Sequence, residues 1–203
     1  TDTDKLLCFL RRLERLAFTM YALRWNVNER IEKYSKVLTA LESGEDPGKA
    51  ESGLGLKPSD KSKLVGVLSG PIYLEKCARY VLLRLDEHLS EGEASYNYPV
   101  ITIEHVLPQT PEPGSEWFVL FDEGARSSLT NCLGNLVLLS RRKNSSAQNF
   151  DFATKKQKYF GDSATSFSLT KRAVEQKEWT PTILKDRQEQ MVQYCKEIWK
   201  LDE

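Results

Sequence analysis

Two short stretches set the limits on how this chain can fold: VITIEHVLP from Val100 to Pro108 and LGNLVLLS from Leu133 to Ser140. Each is rich in β-branched or aliphatic residues, is bounded by turn-forming residues and is too short for a globular helix, so each reads as a strand of a small sheet. Pro108 ends the first of them, because it cannot donate to a ladder. Around these stretches the apolar residues fall at helical spacing instead. Leu6, Leu7, Leu10, Leu13, Ala17, Met20 and Tyr21 mark one face of a first helix, with Arg11, Arg12, Glu14 and Arg15 largely on the other. Asn28 followed by Glu29 offers a cap for a second helix through Ile31, Tyr34, Val37, Leu38 and Leu41. The Gly- and Pro-rich segment 43–58 reads as a loop, Ser59 as the cap of a short helix, and Pro71 as the opening of another that runs to Leu85. A last amphipathic helix is expected from about Thr182 to Leu201. The fold class that follows is α+β and mostly α. A helical domain covers residues 1–95 and a second domain, 96–203, holds the two strands with helices around them.

Composition excludes several classes. With 29 Lys+Arg against 29 Asp+Glu the net charge is zero, which gives no global sign of a nucleic-acid ligand. The distribution is uneven: residues 100–123 carry five acids and no Lys or Arg, whereas residues 124–172 carry nine bases against Asp151 and Asp162. Such a local excess is a footprint for an anionic ligand, although a solvated basic face gives the same pattern. No run reaches the 18 or so apolar residues of a membrane span, and the N-terminus lacks the layout of a signal peptide. Because the first residue is not Met, the chain is read as a fragment of a longer protein. Cys8, Cys77, Cys132 and Cys195 lie far apart without a C-x-x-C pair, as expected of reduced thiols in a cytoplasmic protein.

The chemistry-bearing residues cluster at the strands. Glu104 and His105 end the first, Asn135 opens the second, and Asn144 follows nine residues later. A neutral imidazole with a pKa near 6.5 takes a proton from water at neutral pH. A carboxylate and an amide oxygen suit a hard cation, Mg²⁺ or Mn²⁺. An amide beside the imidazole can hold the ring or its loop. The same residues also occur in proteins where the histidine is merely hydrogen-bonded at a strand end and the asparagine serves a turn.

The segment IEHVLPQ from Ile103 to Gln109, then Trp117, LGNLVLL from Leu133 to Leu139, Asn144 and Phe152-x-x-Lys155 resembles the C-terminal domain of GmrSD-type restriction endonucleases. Trp179, Arg187 and Trp199 extend the agreement, which covers roughly residues 100–200. That domain belongs to the HNH, or His-Me finger, superfamily. The phage-defence protein SspE, linked to phosphorothioate-modified DNA, and the HNH domain of the RNA-guided CRISPR nuclease are similar. The resemblance implies a ββα-metal core and a Mg²⁺- or Mn²⁺-dependent DNA endonuclease that nicks double-stranded DNA in restriction of phage. It makes His105 the general base, Asn135 the residue that fixes its orientation, and Glu104 and Asn144 the metal ligands, with Asn149 a second candidate amide. Arg141, Arg142, Lys143, Lys155 and Lys156 become phosphate contacts. Many relatives have Asp or His where this chain has Glu and Asn at the metal. Relatives also carry an N-terminal nucleotide-handling module, whose motifs are absent here, so that module is expected in the full-length protein and nucleotide hydrolysis is not expected of this chain. The alternative is a catalytically inactive module that binds DNA or a partner protein.

Overall fold

The computed structural model describes residues 2–46, 53–90, 96, 100–140, 149–160 and 167–202. They form two compact units: Thr1–Val67 with Leu201–Glu203, and Leu68–Lys200.

In the first unit α1 (Asp2–Ala22) and α2 (Val27–Glu42) are joined by a short turn in which Arg24 takes a positive φ of 56°. The cap of α2 is Asn26 and not the expected Asn28. The Asn26 side chain accepts from the Glu29 N–H, and the Glu29 carboxylate accepts from the Asn26 N–H, a reciprocal box that satisfies two donors at the helix start. Leu16, Met20, Val37 and Leu54 form the core of this unit. Of the expected stripe on α1 only Met20 is fully buried, Leu13 and Ala17 are half-buried, and Leu6, Leu7, Leu10 and Tyr21 are 57%, 46%, 48% and 50% exposed; the helix buries Leu16 and Phe18 in addition. Periodicity identifies the helix but does not say which half of it a neighbour covers. α3 (Pro58–Ser69) follows, beginning at Pro58 and burying Leu64 and Leu68.

The second unit starts with a 3-10 turn (Ile72–Leu74) and α4 (Ala78–Leu89). After β1 (Ile101–His105) come α5 (Glu116–Leu120), α6 (Glu123–Leu129), a 3-10 turn (Leu133–Asn135) and β2 (Leu136–Ser140). α7 (Phe152–Phe160), α8 (Ser168–Val174) and α9 (Pro181–Trp199) complete it. The two strands pair antiparallel, with Ile101 opposite Ser140 and His105 opposite Leu136. Leu136 to Leu139 are all buried, so both faces of β2 are covered, and this is why its sequence is a continuous apolar run. Its outer edge is closed by a side chain: the Thr170 hydroxyl on α8 donates to the Leu138 carbonyl at 2.6 Å and accepts from the Leu138 N–H at 3.2 Å. One threonine thus satisfies groups that a third strand would otherwise pair.

α8 is held in turn from α4. The buried Asp86 carboxylate accepts from the Leu169 N–H at 2.8 Å and from the Tyr96 hydroxyl at 2.9 Å. Burial raises the Asp86 pKa above the usual carboxylate value. Because α4 is bonded into the strand-bearing unit in this way, the division falls at residue 68 and not near 95. The core of this unit comprises Val106, Leu107, Trp117, Phe121, Val137, Phe152, Trp179 and Leu184 among others. No helix among the described residues is long and apolar enough to cross a membrane. All four cysteines are free thiols, three of them buried.

The longest helix of this unit, α9, starts at Thr180, whose hydroxyl accepts from the Ile183 N–H, with Pro181 in its first turn. It seats against the 3-10 turn through glycine. A Cβ on Gly134 would lie 2.7 Å from the Leu184 carbonyl oxygen and 2.8 Å from the Gln188 nitrogen. Gly134 also accepts from Arg187 Nε at 2.9 Å and donates to the Gln188 side chain at 2.8 Å. Gly134→Ala must displace helix backbone, and a destabilisation of about 1–3 kcal/mol is expected. Thermal unfolding of the variant beside the parent measures it.

Candidate active site

The site is built at the end of β1. The strand delivers Glu104 and His105, and the chain beyond them is fixed by the amide of Asn135. Asn135 is fully buried. Its Oδ1 accepts from the Leu107 N–H at 2.7 Å and from Trp179 Nε1 at 3.3 Å, while its Nδ2 donates to the carbonyls of Leu107 at 2.9 Å and Thr130 at 2.8 Å. The main-chain carbonyl of Asn135 accepts from the Val106 N–H at 3.0 Å. Both amide protons and both oxygen lone pairs are therefore used, none of them on the imidazole. Asn135 orients the loop behind His105, not the ring.

The ring is held by a residue the sequence did not single out. His105 Nε2 lies 3.1 Å from Asn131 Oδ1, and Gln109 Nε2 donates to the same oxygen at 3.3 Å. An amide oxygen only accepts, so the Nε2 of His105 carries the proton and the lone pair is on Nδ1. Nδ1 has no hydrogen-bond partner among the described residues. Tyr73 packs edge-on against the imidazole, with ring centroids 4.2 Å apart and an interplanar angle of 71°. Its main-chain N–H donates to the Asn131 carbonyl at 3.1 Å, so ring contact and ring anchor are fixed together. Neither Tyr73 nor Asn131 is among the candidate site residues singled out from the sequence. Nothing in their spacing from His105 marks either, because their contacts with it arise only in the folded chain.

His105 is 7% exposed. Burial pushes its pKa down to about 4; the hydrogen bond to Asn131 opposes the shift and the charge of Lys155 adds to it. The imidazole is therefore neutral at neutral pH.

Lys155 is the largest departure from expectation. It was expected as a phosphate contact, yet its side chain is 1% exposed. Its Nζ sits 3.0 Å from Glu104 Oε1 and donates to the His105 carbonyl at 2.6 Å. Burial lowers the pKa of this lysine, and the Glu104 carboxylate opposes the shift. α7 imposes this placement. Phe152, one turn earlier on the same face, packs its ring against Trp179 with centroids 5.2 Å apart. The Phe152 N–H donates to Glu116 at 2.7 Å, and Asp151 accepts from the Thr154 N–H at 2.7 Å. Lys156, expected in the same role, is partly buried and donates to the Gln176 carbonyl at 2.7 Å. Arg141, Arg142, Lys143 and Asn144 lie outside the described residues, and Asn149 is exposed.

A divalent metal here would need hard oxygen donors. Glu104 supplies a carboxylate beside His105, and the ammonium already lying on its Oε1 shows that the place holds positive charge, so the donor chemistry fits. Among the described residues no group of three or more His, Cys, Asp or Glu converges, so a first shell would have to be completed by Asn144 and water.

A neutral histidine at the end of a two-stranded antiparallel sheet, with its loop tied by a buried asparagine, is an arrangement chemically able to take a proton from water or a hydroxyl. The family of GmrSD restriction endonucleases, C-terminal domain, matches residues 69–194. The chain belongs to that family, which gives it a nuclease role in restriction and implies DNA as substrate. No curated protein and no solved structure matches it.

The pKa of His105 has a consequence for stability. The unfolded chain takes a proton on this residue near pH 6.5, whereas the folded protein holds it unprotonated down to about 4. Stability is therefore lost as the pH falls from about 6.5 to about 4, by a total on the order of 3 kcal/mol. Urea unfolding across this range is expected to show that slope in the parent and to lose it in His105→Gln.

Proposed function

We propose that the chain is a metal-dependent DNA endonuclease that nicks double-stranded DNA in the restriction of foreign DNA such as that of phage. The observation that carries this reading is the neutral His105, anchored through Nε2 and presenting the Nδ1 lone pair at the strand end. In the reaction, Nδ1 takes a proton from water, the resulting hydroxide attacks phosphorus in line, the bond to the 3′ oxygen breaks with that oxygen taking a proton from solvent water, and the imidazolium then returns its proton to solvent. The negative phosphodiester arriving beside the ring raises the basicity of His105 toward what the step needs. Asn131 and Tyr73 hold the ring while it becomes imidazolium, and Asn135 keeps the loop at Leu107 from shifting beneath it. Glu104 and Asn144 would hold Mg²⁺ or Mn²⁺, which would supply positive charge to the phosphate and to the departing oxygen. Contacts from Arg141, Arg142 and Lys143 to the DNA backbone would make binding tolerant of sequence and sensitive to salt. The reading extends to a core of the HNH type, to a cytoplasmic protein, and to a nucleotide-handling module preceding this part of the full-length chain.

A second reading, DNA binding without cleavage, is favoured by one observation: the ammonium of Lys155 lies on the carboxylate that a metal requires. The two are separated with supercoiled plasmid. The nuclease reading predicts conversion to open circles with Mg²⁺ or Mn²⁺, abolished by EDTA and slowed on the order of 10²-fold or more in His105→Ala with DNA binding kept. Retention of DNA without metal-dependent nicking would replace it with the binding reading.

A further inference from the structure

We propose that Lys155 is a tethered cation that competes with the divalent metal for Glu104, so that its displacement sets the metal concentration at which the site assembles. The inference rests on the reading of Glu104 as a metal ligand. A buried lysine is rare unless it is paired, and here its surroundings are specific. The ammonium is held between the carboxylate oxygen of Glu104 at 3.0 Å and the carbonyl oxygen of His105 at 2.6 Å, two oxygens from consecutive residues at the end of β1. A carboxylate and a carbonyl are the donors a hard dication selects, so the lysine uses at this place the coordination chemistry of the metal with a single charge.

The helix leaves the lysine little freedom. Phe152 is locked into the core against Trp179, the start of α7 is tied to Glu116, and Lys155 follows on the same buried face. A dication approaching the same carboxylate meets the repulsion of an ammonium that cannot move far, in surroundings where charges interact more strongly than in water. Either the metal draws Glu104 away from Lys155, or the lysine keeps the carboxylate. A single-charge occupant also accounts for a lysine in the motif Phe152-x-x-Lys155 that reaches no solvent. Without metal it holds Glu104 and the strand end in place, so the site does not collapse or lose its carboxylate to another partner.

The test is Mn²⁺ binding to the full chain, read from the loss of the free-ion signal in electron paramagnetic resonance, for the parent, Lys155→Met and Lys155→Arg. Methionine keeps the buried stem and removes the charge; arginine keeps the charge. Competition predicts that Lys155→Met binds Mn²⁺ about tenfold or more tightly than the parent, while Lys155→Arg stays near the parent. Lys155→Gln is measured alongside and is expected to follow Lys155→Met; circular dichroism identifies any variant that does not fold. Equal or weaker Mn²⁺ binding by the folded, uncharged variants overturns the inference, because the lysine would then be neutral toward the metal or assist it. Glu104→Gln separates this from failure of the underlying reading. If the parent binds Mn²⁺ and Glu104→Gln binds it as well, Glu104 is not a ligand, and both the metal assignment and the competition fall. If Glu104→Gln abolishes binding while Lys155→Met leaves it unchanged, only the competition falls.

Discussion

One buried amide carries the geometry of this protein. Through its side chain and its own carbonyl, Asn135 binds Val106, Leu107, Thr130 and Trp179, which belong to three separate stretches of the second unit. A backbone leaving a strand end inside a core must find partners for its N–H and C=O groups, because an unsatisfied one costs about 1–3 kcal/mol. The segment after His105 finds them on Asn135. Val106 and Leu107 can then be fully buried, and their burial fixes where the preceding histidine lies. The neighbouring Gly134 extends the same constraint to α9, because only a residue without a side chain lets that helix approach. Arg187 then closes the contact, donating to the carbonyls of Gly134 and Leu169 at 2.9 and 3.1 Å. Its guanidinium is buried, which pushes its pKa down to about 10, and it stays charged at neutral pH.

Electrostatics at the site follow from the same burial. Glu104 and His105 are adjacent in sequence but are held by different means, the carboxylate by Lys155 and the imidazole by Asn131. Removing one partner of a buried ion pair strands the other, at a cost of roughly 3–5 kcal/mol. Lys155 is thus both a structural tie between α7 and β1 and the source of a positive field that, with desolvation, keeps His105 neutral. A ring that is neutral, anchored through its proton-bearing nitrogen and without a hydrogen-bond partner at the other among the described residues is able to accept a proton. Its basicity rises only when an anion such as a phosphodiester comes close.

Much of this was legible in the residues. The two strands stood out because their runs are short, aliphatic or β-branched and bounded by turn residues, and the final helix because of its apolar spacing, while the cap at Thr180 and Pro181 in the first turn are features only the structure shows. Glu104, His105 and Asn135 were found from strand ends and motif order. Asn131 and Tyr73 were not, since their contacts with His105 cross 26 and 32 positions of sequence with no periodic signal. Lys155 was read by its charge as a surface residue. Only the packing of Phe152 three residues before it reveals that this face of the helix points inward. The buried half of α1 was missed for a related reason, because spacing shows a face but not how much of it is covered.

The account depends on His105 being neutral at physiological pH with its proton on Nε2. Long-range ¹H–¹⁵N correlation of the imidazole reads this directly in a chain with only two histidines, with His105→Gln assigning the signals. The expected spectrum at pH 7 is that of the neutral Nε2–H tautomer, with conversion to the imidazolium pattern centred near pH 4. An imidazolium spectrum at pH 7, or the Nδ1–H tautomer, would contradict it, because the nitrogen assigned to take the proton would already hold one.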